Sequence, residues 1–146
     1  MVLEDDIIFD KKFEDKFNHK YKNINKKEDY YDILYLGCSQ AIWNKNLWKF
    51  TKNYGDYYSV SKTDGTFAMI ISSTIFDEIL SYPRLDRPID VLLTNLILSN
   101  KKYKSFSIYP HIISSNVDNI SNTDSKKRDL GVYLRKNKLK IHDFDI

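Results

Sequence analysis

The chain has 146 residues, 42% of them hydrophobic and 29% charged. That is the composition of a soluble globular protein of about one domain, and no run approaches the roughly 18 consecutive apolar residues of a membrane span. The net charge of +3 is mild, and nineteen of the twenty-three basic residues are lysine. A nucleic-acid reader would be expected to lean on arginine for bidentate base contacts, so nucleic-acid binding is not expected. Cys38 is the only cysteine, which excludes an internal disulfide and a cysteine-based zinc cluster and favours a reducing, cytoplasmic setting. No basic segment followed by an apolar stretch opens the chain, so no secretory signal is expected.

The first predicted strand carries an acidic triplet, Glu4-Asp5-Asp6, between Met1-Val2-Leu3 and Ile7-Ile8-Phe9. Side chains alternate along an extended chain, which places Glu4 and Asp6 on one side and Asp5 on the other. Two close carboxylates repel unless a cation lies between them, and hard oxygen ligands suit Mg²⁺ or Mn²⁺ holding a diphosphate. An acidic cluster that is merely solvated, or that complements the next helix, accounts for the same residues.

Phe13, Phe17, Tyr21 and Ile24 then recur at helical spacing between Asp10 and Lys27, predicting an amphipathic helix. Tyr31 to Leu36 reads as a buried strand ended by Gly37. The aromatics from Gln40 to Tyr58, including Trp43, Trp48 and Phe50, read as core or as sugar-stacking faces. Thr66 to Ile71 reads as a strand after the turn Lys62-Thr63-Asp64-Gly65. A helix is predicted from Ser73, with Thr74 and Asp77 at capping-box spacing and Ile75, Ile79 and Leu80 as its stripe, stopping before Pro83. Pro88 opens another, with Ile89, Leu92, Leu93, Leu96 and Ile97 facing the core. Phe106 to Ile113, broken by Pro110, reads as a strand, Asn116 to Asp129 as a loop, and Arg135 to Lys140 as a basic tail that Leu139, Ile141 and Phe144 can dock.

In order along the chain, four blocks resemble glycosyltransferase family 25, the type of domain found in lipooligosaccharide and collagen-modifying transferases. They are Val2-Leu3-Glu4-Asp5-Asp6, Tyr31-Asp32-Ile33-Leu34-Tyr35-Leu36-Gly37, and Gly65-Thr66-Phe67-Ala68-Met69-Ile70-Ile71-Ser72. The last is Arg87-Pro88-Ile89-Asp90 followed by Ser107-Ile108-Tyr109-Pro110. The likeness covers about residues 2 to 125.

The resemblance implies an α/β, GT-A-like mixed sheet flanked by helices, here expected to lack the usual N-terminal nucleotide-binding half, with residues 1–146 forming one partial domain. It also implies inverting transfer of a sugar from a nucleotide-sugar donor to a glycan or protein hydroxyl. Glu4 and Asp6 would hold a divalent metal, Mn²⁺ or Mg²⁺, with Asp5 in support at the diphosphate. Gly65 and Thr66 would lie against the donor. Asp90 is the candidate catalytic base, although a carboxylate after Pro88 also stabilises a helix start. A further ligand is sought among His111, Asp118 and Asp124. His19 and His142 carry no functional expectation. The expected first strand is an edge at which a homodimer or another chain can pair. The alternative reading is a truncated, inactive remnant that binds sugar or a partner.

Overall fold

The computed structural model describes residues 1–26, 30–38, 52, 54–63, 65–82 and 87–116. Five short strands form the main sheet: β1 (Val2–Leu3), β3 (Ile33–Gly37), β4 (Tyr57–Ser59), β5 (Ala68–Ile71) and β6 (Ser105–Ile108), in the spatial order β1-β5-β3-β6-β4. Central β3 runs antiparallel to β5 and parallel to β6. The sheet is therefore mixed. A separate two-stranded sheet pairs β2 (Ile7–Phe9) with β7 (Ile113–Ser115). The described helices are α1 (Phe13–Lys26), α2 (Phe76–Leu80) and α3 (Ile89–Leu93), and none is long and apolar enough to cross a membrane.

Every residue of β3 is buried, and its alternation feeds two cores. Ile33 and Tyr35 pack with Met69, Ile75, Leu93, Ile97 and Leu98. Leu34 and Leu36 pack with Ile24, Ala68, Phe106, Ile108 and Ile113. A strand covered on both faces is expected to be continuously apolar, which is why this one reads Ile-Leu-Tyr-Leu. Tyr57 and Tyr58 are fully enclosed, and Tyr54 stacks on Tyr57 at 4.7 Å. These tyrosines complete the core. Trp43, Trp48 and Phe50 lie outside the described residues, as do Asp118, Asp124, His142 and the basic tail.

The first helix presents the expected stripe. Phe13, Phe17 and Tyr21 stack in sequence at 5.7 and 5.2 Å, and Ile24 below them is fully buried. Burying such a side chain is worth about 1.5–3 kcal/mol. Asp10 precedes the helix rather than joining it. Its Oδ1 accepts the Lys12 N–H at 2.8 Å, and Lys16 Nζ donates to its Oδ2, so one carboxylate meets an N-terminal amide and an ammonium.

The later helices depart from the predicted pattern. Ser72, not Thr74, caps the 3₁₀ turn Ser73–Ile75 that leads into α2, accepting the Thr74 N–H at 3.4 Å. The Thr74 hydroxyl is instead directed to Asp32 Oδ1 and Ser72. Leu80 is 78% exposed, because it lies about 100° round a short helix from Ile79. Beyond α3 the chain makes a π turn, Thr94–Leu98, closed by the Ser99 N–H to the Thr94 carbonyl at 3.0 Å. The wider turn brings Leu98 into the core, while Ile89 stays 41% exposed.

The strand predicted from Phe106 to Ile113 divides. β6 ends at Ile108, a cis Tyr109-Pro110 bond follows, and β7 belongs to the second sheet. At the opposite end of β6, the Asp32 carboxylate accepts the Lys104 N–H at 2.8 Å, so one buried side chain ties the starts of β3 and β6 to Thr74.

Where β3 ends, the Ile112 N–H donates to the Leu36 carbonyl at 3.1 Å, and a Cβ on Gly37 would lie 2.1 Å from the Ile113 carbonyl oxygen. A backbone atom cannot swing aside as a side chain can. We therefore expect Gly37→Ala to destabilise the chain by about 1–3 kcal/mol, the usual range for overpacking, read as a lower urea midpoint. An unchanged midpoint would mean that the two sheets separate easily here.

Candidate functional site

β1, β3 and β6 all end on the same side of the sheet, and antiparallel β5 begins there. Ligands of open α/β sheets characteristically meet the carboxyl ends of strands. At this end the register sets Leu3 opposite Ala68, and the Glu4 N–H donates to the Phe67 carbonyl at 2.9 Å. Thr66, only 3% exposed, donates its hydroxyl to Glu4 Oε1 at 3.2 Å.

Gly65 adopts φ 107°, a conformation that side chains disfavour. Its N–H donates to Asp90 Oδ2 at 3.0 Å, and the other Asp90 oxygen accepts the Val91 N–H at 2.8 Å. One carboxylate thus fixes the start of α3 and links it to the turn before β5. Of the two readings of Asp90, the helix-start role is visible in this geometry, through the Val91 N–H, and its charge also acts on Glu4.

The extended geometry expected through the triplet stops early. β1 ends at Leu3, and Asp5 and Asp6 form a turn, so strand alternation is not what relates Glu4 to Asp6. The turn nevertheless leaves Asp6 close enough for its charge to act on Glu4. Asp6 is held from the second sheet: its Oδ2 accepts the Ser115 hydroxyl at 3.2 Å and its carbonyl accepts the Asn116 N–H at 2.6 Å. Asp5 is exposed.

Burial raises the Glu4 pKa from its ordinary value of 4.5, and the charges of Asp6 and Asp90 add to that, while the Thr66 hydrogen bond opposes it. Glu4 therefore feels two other carboxylates while it is held by a buried threonine. All the donors are oxygen, the set preferred by Mg²⁺ and Mn²⁺. Among the described residues no three His, Cys, Asp or Glu side chains form a metal-holding group. Mg²⁺ commonly takes one or two carboxylates and completes its shell with phosphate oxygens and water, and the Glu4 and Asp6 pair fits that pattern.

His111 is a correction to the ligand search. It is 4% exposed, and its Nε2 lies 3.1 Å from both the Tyr58 hydroxyl and the Ser107 hydroxyl, with Cys38 Sγ at 3.8 Å. Burial lowers its pKa to about 3, which leaves a neutral imidazole committed to the core. The Ser115 and Asn116 contacts to Asp6 were missed by the sequence reading. Ser115 ends β7, which pairs β2, and Asn116 follows it, a pairing that no pattern in the sequence announced.

No family model matches the chain, and neither a curated protein nor a solved structure matches it.

A raised carboxyl pKa in the folded state contributes stability that is present below 4.5 and lost as pH rises through the folded value. At neutral pH the Glu4 charge is therefore a cost, and Glu4→Gln, which keeps an oxygen acceptor for Thr66, should stabilise the chain there. The half-exposed position screens the effect to below about 1 kcal/mol. Urea midpoints should show the variant ahead at pH 7 and level with the parent at pH 3.5; an advantage that persists unchanged in acid would contradict the charge repulsion.

Proposed function

We propose that this chain is a metal-dependent glycosyltransferase of the family 25 type, with a GT-A-like sheet, that moves a sugar from a nucleotide-sugar donor to a glycan or protein hydroxyl. The observation that carries the reading is the gathering of Glu4, Asp6, Thr66, Gly65 and Asp90, drawn from three separate sequence blocks, at one end of the mixed sheet. Composition alone gives no reason for those blocks to meet.

In this reading Glu4 and Asp6 hold Mn²⁺ or Mg²⁺, and a cation there would neutralise the charge that develops on the departing nucleoside diphosphate. Thr66 fixes the Glu4 carboxylate, and Ser115 and Asn116 fix Asp6, so that the ligand pair is oriented before a donor arrives. Asp5, exposed in the turn, would support the diphosphate only indirectly, by adding negative charge that draws the cation to the site. The Gly65 backbone lets the donor sugar approach the sheet without meeting a side chain. Asp90 accepts the proton of the acceptor hydroxyl as its oxygen attacks the anomeric carbon opposite the leaving diphosphate. That single displacement inverts the anomeric configuration. Val2 and Leu3, 46% and 39% exposed on edge strand β1, offer the place where a second copy or another chain would add a strand.

Calorimetric titration with uridine diphosphate, with and without Mn²⁺, tests the reading. Binding is expected only with metal, and it should weaken at least tenfold when Glu4→Ala and Asp6→Ala are combined. A folded chain that shows no metal-dependent binding at millimolar diphosphate would sink the transferase reading in favour of a remnant that binds sugar or a partner.

A further inference from the structure

β4 is the edge of the main sheet farthest from β1, and it pairs with the start of β6 through Ser59 and Phe106. Beside that pairing lies a cleft of about 410 Å³ whose lining includes Lys52, Tyr54, Ser59, Tyr103, Lys104 and Ser105. It stands at the amino end of β6, opposite the end where β1 and β3 finish beside Glu4. A water occupies about 30 Å³ of the liquid, so the cleft has room for about a dozen. That volume falls within the roughly 300–1,000 Å³ of small-molecule sites.

The backbone sets the walls. The Lys52 N–H donates to Ser59 Oγ at 2.9 Å, and the Lys52 carbonyl accepts the Ser59 N–H at 2.9 Å. On the other wall the Val60 N–H donates to the Ser105 carbonyl at 2.8 Å, and the Lys104 N–H to Asp32 Oδ2 at 2.8 Å. Two lysines distant in sequence are thereby brought to one cleft, and they are its only charged lining residues. Lys16 and Lys20 are ion-paired, whereas neither Lys52 nor Lys104 joins an ion pair among the described residues. Lys52 Nζ lies 4.7 Å from the Tyr54 ring centroid. Asp32, Asp77 and Glu78 line a neighbouring cleft that shares Tyr103 and Lys104, and Glu78 Oε2 accepts the Tyr103 hydroxyl at 3.0 Å. Like charges on a concave surface without a carboxylate concentrate anions.

Ser105 provides an independent sign. It is 5% exposed, and its hydroxyl is enclosed with no hydrogen-bond partner among the described residues. Leaving a buried hydroxyl unmet is costly, and native proteins rarely accept it without a reason. Serine has a single side-chain torsion with three staggered positions, so one rotation is all that separates this donor from another acceptor.

We infer that this cleft is a binding site for a small organic phosphate monoester, with the phosphate held by Lys52 and Lys104 and met by the Ser105 hydroxyl after that rotation. Lysine serves phosphate as a point charge, while planar recognition of carboxylates favours the arginine fork, and no arginine lines the cleft. A phosphate monoester carries about −1.5 to −2 charges near pH 7 and three acceptor oxygens, which two ammonium groups and a hydroxyl match. The half-buried rings of Tyr54 and Tyr103 border the remaining volume and offer apolar surface to the organic part. The site needs no metal and does not depend on the transferase reading.

The test titrates phenyl phosphate, inorganic phosphate and benzoate into the isotope-labelled full chain with EDTA present, following the amide signals of Ser59, Lys104 and Ser105 by NMR. Phenyl phosphate should bind at millimolar concentration or below, more tightly than either of the other two. Lys52→Gln combined with Lys104→Gln should weaken it by about tenfold or more, and Ser105→Ala, which leaves both lysines in place, should weaken it by a smaller factor. Glu4→Ala combined with Asp6→Ala should leave it unchanged. That arm separates this site from the acidic end, because loss of metal-dependent diphosphate binding would sink the transferase reading alone. Amide signals that do not move, or a phenyl phosphate affinity unchanged by the lysine substitutions, would overturn the proposal. Benzoate binding as tightly as phenyl phosphate would overturn the phosphate assignment, and inorganic phosphate doing so would overturn the organic part.

Discussion

Complete burial of β3 is the constraint on which the rest of the molecule depends. A strand enclosed on both faces must have its backbone polar groups met by its neighbours, and β5 and β6 do so from opposite directions, one antiparallel and one parallel. That choice fixes which ends of the chain's segments meet. Because β5 runs against β3, its first residues arrive where β3 finishes, and β1, paired to β5, finishes there too. The gathering of Gly65 and Thr66 beside Glu4 follows from sheet topology, not from local attraction between polar residues.

That gathering works against stability. Glu4 is drawn partly out of water and set near two other carboxylates, whereas the ion pair of Lys20 with Asp56, at 3.2 Å, brings opposite charges together. Burial disfavours the Asp56 charge, but the hydrogen bonds from Asn23 and Lys20 outweigh it and hold the Asp56 pKa below its usual range. The contrast is informative: the chain has the means to compensate a carboxylate and applies them to Asp56 and Asp10, while the acidic cluster keeps its mutual repulsion. Glu4 is thus the carboxylate whose surroundings the fold leaves least compensated among these.

Strands β3 and β5 and helix α1 were legible in the sequence because their pattern is enforced by burial, whereas β4 lay in a stretch read only as aromatic and β6 and β7 were read as one strand. Phe13, Phe17, Tyr21 and Ile24 all face the core, and the Ile33 to Leu36 run is buried on both sides. What escaped depends on geometry that has no period. The turn at Asp5 and Asp6, the π turn that exchanges Ile89 for Leu98, and the transfer of the cap from Thr74 to Ser72 are each decided by one or two hydrogen bonds. At the site, Gly65 and Thr66 entered through resemblance, and the structure supplies their contacts to Asp90 and Glu4. His111 entered as one of three possible further ligands, each as readily a surface residue, and the structure instead buries it against Tyr58 and Ser107.

The clasp made by Asp32 gives the sheet two unlike ends. At one end a buried carboxylate is met by the Lys104 amide and the Thr74 hydroxyl, joining three segments. At the other, the chain segments carrying Glu4, Gly65 and Asp90 are joined mainly through single hydrogen bonds. Local openings take place where the fewest interactions must break. The Asp32 clasp therefore anchors β3 and β6 together at the end away from the carboxylates, a fixed origin from which the two strands run side by side to the acidic end.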